Sequence, residues 1–154
     1  MQSDLDLTPE EIESAAAGIT RMLAAFRAGR ETAPVLAGPR GAEIAEALGG
    51  PLPREGTSLE SLLDEVRRKV IPTCRRNDSP RFFGYVCSGG SDVGTLADYL
   101  ASGLNQNVTA WRSAPSATEL ERIVIEWIGQ IVGMPAGSAG LLLGGGTAAT
   151  LTAL

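Results

Sequence analysis

The stretch Gly140–Leu154, GLLLGGGTAATLTAL, decides how the chain is read. Leu141-Leu142-Leu143 is a short, wholly apolar run, as a strand buried on both faces must be. Gly144-Gly145-Gly146-Thr147 breaks the run, and from Ala148 onward the residues favour a helix. Strand, glycine turn and helix in that order point to an α/β protein. A parallel sheet cannot be built from one strand, so the segment reads as the opening portion of something larger. The turn is also the best functional signal. Glycines let the backbone approach an anion closely, and free N–H groups at a helix N-terminus favour negative charge. Thr147 adds a hydroxyl donor for a phosphate. On the glycine pattern alone, a phosphate cradle and a ligand-free tight turn stand equally. The turn lacks the lysine of a Walker A loop, which argues against a P-loop nucleotidase. Gly144-x-Gly146-x-x-Ala149 satisfies a loose dinucleotide fingerprint, a weak motif without its downstream acidic residue.

Upstream, the pattern is helical. Thr8-Pro9-Glu10-Glu11 reads as a capping box, with Leu7 and Ile12 as a hydrophobic staple and Gly29 as the stop. Between them Ile12, Ala15, Ile19, Met22, Leu23 and Phe26 form one apolar face. Pro34 and Pro39 bracket a connector, and a short helix is expected from Glu43 to Leu48. Thr57-Ser58-Leu59-Glu60 reads as a second capping box, opening a helix that Pro72 closes. Arg67, Arg68 and Lys69 fall in its last turn, where they complement the helix dipole and form a solvated end. Residues 71–92 are irregular, with Phe82, Phe83 and Tyr85 followed at once by serines and glycines. A helix is expected from Val93 to Leu104, then a loop from Asn105 to Ser113. Ser116-Ala117-Thr118-Glu119 reads as a third capping box, leading an amphipathic helix that Gly133 and Pro135 end.

Composition narrows the chemistry. The 154 residues suit about one soluble domain. Eighteen acidic residues against 13 basic ones argue against a binder that neutralises nucleic-acid phosphates. No apolar run approaches the ~18 residues of a membrane span, and the acidic start MQSDLDLTPEE does not read as a secretory signal. With no histidine, a histidine-based zinc site or a Ser-His-Asp triad cannot be assembled within this chain. Cys74 and Cys87 are too few for a disulfide framework or a four-ligand metal site and fit a reducing cytoplasm. Lys69 is the only lysine, on an early helix. No metal site is expected. Trp111, Arg112 and Glu119 read as packing and surface pairing.

Taken together, SPRFFGYV, LADYLASGLNQNVTAWRSAPSATELERIVIEWIGQIVGMP and GLLLGGGTAATLTAL occur in the order and spacing of one family. They resemble the N-terminal portion of the group II pyridoxal-5'-phosphate-dependent amino-acid decarboxylases, which include aromatic-L-amino-acid and glutamate decarboxylases. The resemblance runs from about Leu59 to Leu154. It implies a fold-type-I, PLP-dependent transferase-like α/β protein: three layers, α/β/α, around a mostly parallel sheet. On this reading residues 1–90 are a helical, dimer-packing arm and linker, and residues 91–154 begin the PLP-binding large domain. The resemblance places Gly146 and Thr147 against the cofactor phosphate, and Tyr85, Ser88 and Thr109 by the substrate. It implies pyridoxal 5'-phosphate as cofactor, an amino-acid substrate, a homodimer partner and a C-terminal remainder.

Some positions depart from the family. Ser79 stands where a histidine is common, and Thr109 stands where the aromatic-amino-acid enzymes carry a bulky aromatic, which weakens the case for a large aromatic substrate. The family's stacking histidine, pyridine-facing aspartate and Schiff-base lysine lie downstream, so no catalytic residue is expected here. The chain alone is expected to be inactive and poorly stable. The reading is a decarboxylase that releases carbon dioxide and a primary amine. Its alternatives are a related PLP enzyme, an amine-oxidising aldehyde synthase or a lyase, and a non-catalytic helical interaction module.

Overall fold

A computed structural model describes residues 6–39 and 41–154. The acidic start read as no secretory signal lies partly outside these residues. Two compact units meet in sequence between Ser91 and Asp92, and each is taken by itself.

The first unit opens with α1, Pro9–Ala28. Its N-terminus has the expected chemistry. The Thr8 hydroxyl oxygen accepts the Glu11 N–H at 3.2 Å, and the Thr8 N–H donates to Glu11 Oε2 at 2.8 Å. Both halves of the capping box are therefore made, and Pro9 sits in the first turn, where a missing N–H costs nothing. At the other end Gly29 caps the helix with its N–H on Phe26 O, 3.2 Å away. Helix α2, Gly41–Leu48, follows the proline-bracketed connector.

Helix α3, Leu59–Glu65, corrects the second capping box. Its N-cap is Ser58, whose hydroxyl accepts the Ser61 N–H at 3.3 Å, so Thr57 and Glu60 do not form the pair. The helix then widens into a π turn, Val66–Val70, and tightens into a 3-10 turn, Ile71–Thr73. Pro72 supplies the reason. It has no N–H to give the ladder, and its ring would crowd the carbonyl four residues back. Widening the preceding turn lets Ile71 donate to Val66 O instead.

The basic cluster here is paired rather than free. Arg67 and Arg68 both reach Asp64, at 2.5 and 2.6 Å, and Lys69 reaches Glu65 at 2.5 Å. Hydrogen bonds from Arg67 and then Arg68 hold the Asp64 carboxyl below the usual carboxylate range, and Lys69 does the same for Glu65. These pairs are exposed and add little stability.

Helices α1 and α3 pack against each other. An open groove of about 1060 Å³ runs beside them, lined by Ala15, Met22, Phe26 and Leu63 among others. The irregular segment after α3 is tied to the end of α1. Arg76 lays its guanidinium over the Phe26 ring, 4.1 Å from the centroid, and donates to the Phe26 carbonyl. The Arg76 N–H reaches Val35 O at 2.8 Å, and Arg81 donates to Ala33 O. A cation at the C-terminal end of a helix satisfies carbonyls that the helix leaves unpaired.

The second unit holds α4, Asp92–Leu104, α5, Pro115–Ile131, and α6, Gly146–Ala153. Helix α5 corrects the third capping box. Pro115 takes the first helical position and Ala114 becomes the N-cap, so Ser116 is already inside the helix. Ala114 is fully buried, and its carbonyl accepts both the N–H and the hydroxyl of Thr118, at 2.9 and 2.8 Å. Gly133, at φ 77°, turns the chain out of α5 as expected.

The expected strand at Leu141–Leu143 is not formed, and no β-strand occurs among the described residues. A strand is defined by a hydrogen-bonded neighbour, and this run has none here. Its three leucines are 69%, 53% and 43% exposed. The described residues contain no helix long and apolar enough to cross a membrane.

Little of the apolar surface is covered. Among the described residues only Ala114 and Ser79 are buried. Leu96, Leu100 and Leu104 of α4 and Trp127 and Ile131 of α5 remain exposed. Apolar faces of this extent bind other protein surface. We therefore expect the isolated 154-residue chain to self-associate at micromolar concentration in sedimentation velocity. A well-behaved monomer with full helical circular dichroism would contradict this.

Candidate functional site

The glycine turn belongs to the second unit. Gly145 is the N-cap of α6, with φ 148° and ψ 163°. An L side chain rarely adopts that φ, so the position calls for glycine. Ala149 N–H returns to Gly145 O at 3.0 Å and closes the first turn. The amides of Gly146, Thr147 and Ala148 precede any intrahelical acceptor, and they carry the positive end of the helix dipole. A β-carbon added at Gly144 or Gly146 would meet nothing within 4 Å, so the approach to these amides is open. The Thr147 hydroxyl has no hydrogen-bond partner among the described residues. Free amides, an adjacent hydroxyl and open space suit a dianionic phosphate. The donor set fits the phosphate of pyridoxal 5'-phosphate.

Gly146 and Thr147, read from the sequence, thus open α6. Gly145 was not singled out, although its backbone angle is the one in the turn that calls for glycine. Its signal was only its central place in a run of three glycines.

Thr109 lies on the loop between α4 and α5. Its N–H and its hydroxyl both donate to Asn107 Oδ1, at 3.0 and 2.7 Å. The hydroxyl proton is therefore committed within the loop, while the oxygen keeps its lone pairs for an incoming donor. Asn105 starts the loop at φ 45°, a left-handed conformation that asparagine tolerates better than most residues.

Next to it, the indole N–H of Trp111 donates to Glu119 Oε1 at 3.1 Å, and Arg122 Nε donates to Glu119 Oε2 at 2.9 Å. Glu119 therefore straps the loop onto α5, and Arg122 rather than Arg112 completes the cluster.

Tyr85 and Ser88 belong to the first unit and share one irregular turn. Tyr85 is at φ 61°, the left-handed region, where a bulky side chain is uncommon and strained by roughly 1–3 kcal/mol. The residue is 82% exposed, and its ring stacks on Phe82 with centroids 6.4 Å apart. The Arg75 guanidinium stands 4.7 Å from the Tyr85 ring centroid and 5.1 Å from that of Phe82. Ser88 is exposed, and Gly89 after it presses on Asp78. A β-carbon at Gly89 would lie 3.1 Å from both Cα and Cβ of Asp78, which explains why glycine follows the serine. Both Asp78 carboxylate oxygens are enclosed there without a hydrogen-bond partner. Among the described residues no cluster of three or more His, Cys, Asp or Glu side chains could hold a metal ion.

The strap at Glu119 is pH-sensitive in a stated direction. The hydrogen bond from Arg122, and then that from Trp111, hold its carboxyl below the usual glutamate range. The interaction is present above the ordinary glutamate pKa and is lost as pH falls through the depressed folded value. Tryptophan fluorescence should therefore show a step at a pH below the ordinary glutamate range. The step should vanish in Glu119→Gln; a step that persists in the variant would contradict the assignment.

The comparisons with known proteins agree on the family. Residues 43–154 match the pyridoxal-dependent decarboxylase conserved domain. Tryptophan decarboxylase 2 of Oryza sativa is 34% identical over 116 residues, which are 75% of this chain and 23% of that protein. Tyrosine decarboxylase 4 of Petroselinum crispum is 34% identical over 140 residues, 91% of this chain and 27% of the relative. Among solved structures, Rhodiola rosea 4-hydroxyphenylacetaldehyde synthase aligns with a TM-score of 0.74 at 28% identity, over 86% of this chain and 28% of its own. Catharanthus roseus tryptophan decarboxylase in complex with L-tryptophan aligns at 0.73 and 28%, over 84% and 27%. The chain thus spans about a quarter of the length of these relatives. With a match covering well over half of its residues, the chain belongs to the pyridoxal-dependent decarboxylase family.

Proposed function

We propose that this chain is the N-terminal part of a PLP-dependent L-amino-acid decarboxylase. The observation that carries the reading is the glycine turn of residues 144–147, which opens α6 with unpaired amides inside the family match. The amides of Gly146 and Thr147 and the Thr147 hydroxyl hold the cofactor phosphate. The Tyr85–Ser88 turn and the Thr109 oxygen shape the substrate's surroundings. Bound PLP supplies an electron sink for the carbon that loses carbon dioxide. The residues of this chain bind and orient. The proton and lysine chemistry belongs to the remainder of the protein, since histidine is absent and Lys69, the one lysine of this sequence, sits on an early helix.

The reaction converts an amino acid and one proton into a primary amine and carbon dioxide. Relatives named for tryptophan and tyrosine make aromatic amino acids the first substrates to assay. The likeness to a 4-hydroxyphenylacetaldehyde synthase supports a second reading, an aldehyde-forming enzyme on the same scaffold. Product analysis by mass spectrometry separates an amine from an aldehyde.

In this assignment residues 1–90 form the helical arm and residues 91–154 begin the cofactor domain. A homodimer partner and the downstream chain cover the exposed apolar faces. The exposed thiols of Cys74 and Cys87 suit the cytoplasm.

Replacing Thr147 by alanine in the complete protein should weaken PLP retention about tenfold, one hydrogen bond to a charged group being at stake. The change is read by equilibrium dialysis or by the cofactor's visible absorption. Serine at the same position should restore most of the affinity. Unchanged retention in Thr147→Ala would remove the residue from the phosphate site.

A further inference from the structure

Arg75 makes four contacts, all with groups that carry no full charge. Its guanidinium carbon faces the rings of Phe82 and Tyr85, 5.1 and 4.7 Å from their centroids. Its Nε donates to Asn77 Oδ1 at 2.9 Å, and its Nη2 approaches Cys87 Sγ at 4.0 Å. No carboxylate of the described residues pairs with it. The other basic groups nearby are used differently: Arg67 and Arg68 share Asp64, and Arg76 is engaged at the end of α1.

The turn that Arg75 touches has little else to fix it. Tyr85 is 82% exposed, Phe83 is 93% exposed and Val86 has no cover at all. The Tyr85 backbone is in the left-handed region, so unsupported it would relax. Among the described residues, the stack on Phe82 and the cation across both ring faces oppose that relaxation. An unneutralised guanidinium keeps its full attraction for the rings, and its flat face spans two of them in a way an ammonium cannot. Contacts to Cys87 and Asn77 carry the same side chain to either flank of the turn.

We propose that Arg75 is a positioning residue for the substrate pocket. It clamps Phe82 and Tyr85, and through them it sets the turn that carries Ser88. The proposal rests on the reading of Tyr85 and Ser88 as pocket residues. It assigns Arg75 no contact with substrate and no part in the chemistry.

The test uses the complete PLP-loaded enzyme with Arg75→Ala, Arg75→Lys, Tyr85→Ala and the Arg75→Ala/Tyr85→Ala double variant. Arg75→Ala should raise KM about fivefold while kcat stays within about twofold. Arg75→Lys, which keeps the charge and loses the flat fork, should fall between wild type and alanine. In the Tyr85→Ala background the alanine change at 75 should add nothing, because the residue it acts through is gone. Hydrogen exchange read by mass spectrometry should show the amides of residues 82–88 exchanging about fivefold faster in Arg75→Ala, with the helices unchanged.

An unaltered KM, full additivity with Tyr85→Ala, or unaltered exchange at 82–88 would each overturn the proposal. If Arg75→Ala does not fold, Arg75→Lys decides by the same two readouts. A wild-type enzyme that releases no carbon dioxide from any amino acid would defeat the decarboxylase reading. The exchange measurement would still report whether Arg75 holds the turn.

Discussion

One backbone angle governs the cofactor end of this chain. At Gly145 the chain takes φ 148° as it enters α6, whose first amides, like those of any helix, have no intrahelical acceptors. A side chain there would force the turn into another conformation and redirect those amides. The flanking glycines keep the approach clear, since a β-carbon at either would find only open space. Thr147 adds a hydroxyl that has no hydrogen-bond partner among the described residues. In the proposed arrangement the donors offered to a phosphate are mainly main-chain amides. Main-chain donors of this kind need neither histidine, which the sequence lacks, nor its one lysine.

The second constraint is burial. Hydrophobic residues make up 44% of the sequence, yet the described residues bury only Ala114 and Ser79. Local chemistry holds the helices together instead: a reciprocal cap at Thr8, carboxylate pairs one turn apart in α3, and the Glu119 strap on α5. Such contacts are individually weak and exposed. The large apolar faces of α4 and α5 and the leucine run at 141–143 need neighbouring structure. The quarter-length match to whole decarboxylases is consistent with that need.

Much of this was legible in the sequence, and the rest was hidden for identifiable reasons. Helical periodicity placed α1, α2, α4 and α5 closely, and Thr8 with Glu11 formed the expected box. The same motif misled at Thr57 and Ser116. Ser58, one residue on, can cap just as well, and Pro115 suits the first helical position better than any residue inside the helix. The leucine run was recognised as a strand by its composition, but a strand needs a partner that local sequence does not contain. The place of Gly146 and Thr147 after an apolar run marked the start of α6; the conformation of Gly145 needed the backbone angle. Arg75 left no signal, because its role depends on rings seven and ten positions away being folded back over it.

The central claim is that α6 receives the cofactor phosphate. A crystal structure of the complete protein loaded with pyridoxal 5'-phosphate tests it most directly. The account predicts phosphate oxygens about 2.7–3.2 Å from the amide nitrogens of Gly146 and Thr147. Phosphate density bound elsewhere, with the turn at 144–147 closed off by neighbouring side chains, would contradict it.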